Sequence, residues 1–171
     1  MKRRDRRVQA LAAALALVMA AATAYALTGR DERQAPAARQ AEIAARGRQV
    51  MPFDLERTTH RFTASATGGV QRVTSDDPAD TGQIRLVREH LAGEAARFGK
   101  GDYGDPASIH GGRMPGLREL ERGHDRIGIG YAELPAGATI TYTTTDPSLV
   151  KALHAWFDAQ VTDHGRHAEH G

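Results

Sequence analysis

The chain has 171 residues, eight histidines, four methionines, no cysteine and a net charge of +2. Without a thiol it builds neither a disulfide framework nor a thiolate metal site, and thiol catalysis is excluded. The positive charge sits in the head: residues 1–26 hold five Lys/Arg and one Asp, so the rest carries 18 basic against 20 acidic side chains. A body at −2 has no general attraction for nucleic acid.

In chain order, Lys2, Arg3, Arg4, Arg6 and Arg7 precede an uncharged run from Val8 to Leu27, and Ala24-Tyr25-Ala26 supplies a small-x-small cleavage pattern. This predicts a signal peptide over 1–27 with cleavage after Ala26. The run is also close to the roughly 20 residues that span a bilayer, so an uncleaved anchor in the inner membrane is the alternative. Either way the domain is expected outside the cytoplasm, periplasmic or secreted. Residues 28–50, rich in Ala, Arg and Gln, read as a flexible linker, and 51–165 as one domain.

Within that domain, His60 to Thr67 and Val70 to Thr74 read as a hairpin turned by Gly68-Gly69. Asp77-Pro78 predicts a helix start, and Ile84, Val87, Leu91, Ala95 and Phe98 share one helical face. Ile127, Ile129 and Tyr131, then Ile140 and Tyr142, alternate on either side of Pro135-Ala136-Gly137, a second hairpin. Asp146-Pro147 opens a second helix, with Leu149, Val150, Leu153, Trp156, Phe157 and Val161 on its apolar face. The expected fold is α+β: two ββα units forming an antiparallel sheet covered by helices, with a Gly-rich insertion, Gly99 to Asp125, between them. Matching the two helical faces sets His90 opposite Trp156, so His90 and His154 are not equivalent copies.

The insertion carries Asp102, Tyr103, Asp105, His110, Met114 and His124, and connections of this length are commonly functional or disordered. Beyond the head, the only methionines are Met51 and Met114, each followed by proline. Met114 lies four residues after His110, so both side chains are expected to reach one ion across a short turn. Thioether plus imidazole without thiolate favours copper, particularly Cu(I). His60, His90 and His154 are the candidates to complete the set. Against this stand packing and capping for His110 and Met114, and backbone hydrogen bonding for His90 and His154 at the flanks of their helices. His164, His167 and His170 recur every third residue and could collect Zn, Ni or Cu loosely at the terminus; the alternative reading is a solvated His-rich tail over 166–171, with His164 capping or covering the helix end.

No serine has a Gly-x-Ser-x-Gly context. Asp102, Asp105 and His110 could form an acid/base group, but Asp105-Pro106 equally starts a helix. Gly128-Ile129-Gly130 belongs to a strand rather than to a dinucleotide loop.

Met51-Pro52-Phe53-Asp54-Leu55, Thr58-Thr59-His60, Ile109-His110-Gly111, Met114-Pro115-Gly116-Leu117, Tyr142-Thr143-Thr144 and the run Leu153 to Gln160 with Asp163-His164-Gly165 resemble a family of small exported bacterial proteins without an established function. The resemblance covers about residues 51–167. Some members carry the label aspartate carbamoyltransferase, which does not suit this chain. Such an enzyme is far longer, has two α/β domains, and binds carbamoyl phosphate through a Ser-Thr-Arg-Thr-type loop that is absent here. The resemblance implies no catalytic residues.

The sequence therefore predicts an extracytoplasmic binding protein, with a metal ion or small ligand as partner and copper favoured. The alternatives are an envelope interaction module without cofactor, or a haem protein with a His/Met axial pair.

Overall fold

The structure, a computed structural model, describes residues 36–171. The candidate leader and the first part of the linker lie outside the described residues. Among the described residues no helix is long and apolar enough to cross a membrane.

Gln40–Gly171 form a compact unit of α+β architecture. A five-stranded sheet runs in the order β3-β4-β2-β1-β5, with β1 Thr58–Ser65, β2 Gly68–Ser75, β3 Gly128–Leu134, β4 Gly137–Thr143 and β5 Ala168–His170. The helices are α1 (residues 36–50), α2 Thr81–Phe98, α3 Gly104–His110, α4 Leu117–Gly123 and α5 Pro147–His164. The sheet is mixed rather than purely antiparallel, because β5 pairs parallel to β1, His60 opposite Ala168. Residues 168–170 of the expected tail are thus a strand, closed by Gly171 N–H donating to Phe62 O at 3.0 Å.

Both long helices cover one face of the sheet. Tyr142 of β4 meets Phe98 of α2 at 6.4 Å and Trp156 of α5 at 5.7 Å between ring centroids. The periodic residues of α2 are buried as their spacing requires, Val87 at 0% and Leu91 at 1% exposure, and Leu153, Trp156 and Phe157 of α5 at 1% or less. Each such side chain contributes about 1.5–3 kcal/mol on leaving water.

Three local features differ from the sequence expectation. The helix start is Asp80, whose side chain accepts from Gln83 N, while Asp77 holds a turn by accepting from Ala79 N at 2.8 Å. Gly68 and Gly69 lie inside β2 and not in the turn. A Cβ at Gly68 would sit 2.1 Å from Tyr142 O, and one at Gly69 2.4 Å from the Phe157 ring, so close approach of β4 and α5 demands them. Residues 36–50, expected within a flexible linker, are helical: Ile43 is 1% exposed, Gln40 Nε2 donates to Thr162 O and Arg46 Nη1 to Ile109 O, both at 3.0 Å.

Candidate functional site

Strand β1 alternates inward at Thr58, His60 and Phe62. His60 therefore occupies a position where the pleat calls for an apolar side chain, and it is 3% exposed. Its ring lies 6.0 Å from Phe53 and 5.3 Å from His164, and His164 lies 4.9 Å from His110. Three imidazoles thus form a contiguous row contributed by β1, the end of α5 and the end of α3. Phe53 also touches His90 of α2 edge-on at 5.5 Å.

These residues line one cavity, together with Met51, Glu94, Asp105 and Trp156. Its room for the centre of a water-sized sphere is ≈ 30 Å³, within ≈ 450 Å³ of empty space that includes its open mouth. That admits about two waters, and not a porphyrin.

The electrostatics follow from burial. Desolvation, with smaller effects from His90, His167 and His110, pushes His60 down to about 3. Burial likewise drives His164 well below the usual imidazole range, with His60 and His110 adding to it. His90 is lowered by burial, against an upward pull from Asp105. All three are neutral at pH 7, the form that ligates metals. Glu94 is raised to about 7 by burial; Arg97 opposes the shift and Asp105 adds to it. Arg97 bonds both carboxylates, reaching Asp105 at 2.8 Å. His110 Nδ1 lies 2.8 Å from Asp163 Oδ2, both side chains buried. An ionised carboxylate at Nδ1 accepts its proton and places the lone pair on Nε2.

Of the six candidate ligands, Met51, His60, His90 and His110 share this cavity. Met114 and His154 lie elsewhere. Met114 is 5% exposed within the apolar core, because Met114-Pro115-Gly116 turns the chain onto α5; a Cβ at Gly116 would sit 2.1 Å from Ala152 O. The four-residue spacing from His110 is spent on that turn, with Met114 N–H donating to Gly111 O at 3.1 Å. His154 Nε2 lies 3.0 Å from both Ser65 O and Gly68 O, clamping the first hairpin. Of the terminal histidines, His164 joins the cavity while His170 is exposed, its side chain at 61%.

Glu94 and Asp163 were not among the candidates, and His164 was expected only in a loose terminal site or as a cap of its helix. Glu94 follows His90 by one helical turn on α2, a spacing that marks a shared face. Asp163 is 53 residues from His110, and nothing local links them. Among the described residues no group of three or more His, Asp or Glu side chains is placed to hold a metal ion. An ion here would draw on fewer imidazoles, with the Met51 thioether beside them. Comparison of the chain with protein-family models, with curated proteins and with solved structures finds no match.

Proposed function

We propose that this chain is an extracytoplasmic binding protein that takes a metal ion, with copper favoured, into the histidine cavity. The observation that carries the reading is the row His60, His164 and His110, imidazoles at 5.3 and 4.9 Å spacings in a cavity that Met51 also lines. Imidazole and thioether donors suit Cu(I). The carboxylate of Asp163 behind His110 is the kind of outer support that metal-ligating histidines use. The small size of the cavity supports an ion over haem, the alternative cofactor.

The test is a Cu(I) competition assay on the full chain. Met51→Leu and His60→Phe should each weaken binding by about tenfold or more, the ~1.4 kcal/mol of one decade. Met114→Leu and His154→Ala, away from the cavity, should leave it unchanged. Equal affinities across all four variants would overturn the reading. A module without cofactor is the second reading, favoured by the ring contacts of His60 and His90 with Phe53. In it the imidazoles are packing residues.

A further inference from the structure

Two of the residues that line the cavity each carry a buried polar atom without a hydrogen-bond partner: His60 Nε2 and Trp156 Nε1. Trp156 is fully buried and His60 nearly so, at 0% and 3% exposure. An indole N–H is a donor only, and leaving it unpaired in an apolar setting costs about 1–3 kcal/mol. Phe98, Tyr142 and Phe157 surround the indole, with ring centroids at 5.9, 5.7 and 5.7 Å. The cavity's ≈ 30 Å³ matches ~3 heavy atoms.

Charge narrows the class further. Among the described residues no Lys or Arg lines the cavity, and the acidic side chains that do are Glu94 and Asp105. An anion entering the metal-free protein meets no countercharge on the wall and pays full desolvation. We propose that the metal-free cavity binds a small uncharged molecule with a hydrogen-bond acceptor, held by the Trp156 indole N–H and by His60 Nε2. The cavity's lining also includes the apolar side chains of Phe62, Val73 and Leu91. The ligand is therefore compact, with its polarity at one end. This site does not depend on the copper reading; the two share His60, so each ligand should weaken the other.

Trp156 is the chain's single tryptophan, so one indole N–H resonance reports the site. The full chain, kept metal-free with a chelator, is titrated with formamide and separately with formate, which match in size and differ in charge. Formamide should shift the Trp156 resonance saturably in the millimolar range, with formate at least about tenfold weaker. In Trp156→Phe, the methyl resonances of Val73 and Leu91 should lose their saturable response to formamide. A linear, unsaturable shift overturns the proposal. So does equal binding of formate, an indole held only by a water that formamide fails to displace, or a methyl response that survives in Trp156→Phe. Because the titration contains no metal, loss of the copper reading leaves its outcome intact.

Discussion

Glu94 and His60 face one cavity and their proton equilibria are displaced in opposite directions. His60 falls from 6.5 to about 3 on folding. Its contribution to stability is full above pH 6.5 and is lost as pH falls from 6.5 toward 3, because the unfolded chain takes the proton first. Glu94 rises from 4.5 to about 7. Its contribution is full below pH 4.5 and is lost as pH climbs through 7, when a charge must form in a buried place. Between 4.5 and 6.5 the two oppose each other, and His90 and His164, both lowered, side with His60. Stability should therefore rise with pH over that window. Glu94→Gln removes the opposing member. Thermal melts should show its Tm advantage over the parent chain growing by several degrees between pH 4.5 and 7; a variant tracking the parent across that interval would mark Glu94 as an ordinary carboxylate. At this scale the sequence placed His90 and His154 correctly on helix flanks. What it concealed was His60's orientation, although the Thr58, His60, Phe62 alternation was there to be read.

Among the elements, α2 and α5 were legible because a 3.6-residue period reports a buried face directly, whatever lies on the other side of it. The strand β5 was not. Ala168-Glu169-His170 is too short to show alternation, and it exists through pairing with β1 and the ion pair of Arg61 with Glu169. The helix over residues 36–50 had the opposite difficulty. Its Ala, Arg, Gln and Glu content is that of a good helix former, yet a single buried anchor, Ile43, distinguishes docking from a free spacer. Since β5 lies beside His60, deleting residues 168–171 should lower Tm by several degrees. The His60 ring should then titrate closer to 6.5 than to 3, as its burial is the largest cause of the shift. Ring resonances followed by NMR across pH 3–7 check both the direction and the residue. An unchanged titration would show that α5 alone keeps the ring dry.

At the level of the molecule, the α+β class followed from helix and strand patterns alone, whereas the cavity could not. Its walls come from residues as far apart as Met51 and His164, and only the finished topology brings them together. The insertion contributes His110 and Asp105 to the cavity lining and places Met114 in the core. To the whole chain belongs the proposal of export, in which the run Val8 to Leu27 carries the domain across the inner membrane. Fractionated cells should show it outside the cytoplasm, with a mature N-terminus after Ala26 or an uncleaved anchor. A cytoplasmic product beginning at Met1 would remove the reason to expect extracytoplasmic copper.

The parallel β1–β5 pair also carries a kinetic consequence. It joins segments 108 residues apart, Arg61 to Glu169, through only three residue pairs. Closing so long a loop for so few bonds makes this the latest contact to form and the earliest to let go. His60 is paired with Ala168 in it, so each fraying of β5 frees one edge of the strand that carries this cavity-lining side chain. Beside the open mouth, the cavity then has a flank whose rigidity is set by three residue pairs. Amide exchange of β5 should therefore be faster than that of β1 and β2, and mobility of the His60 ring should follow it.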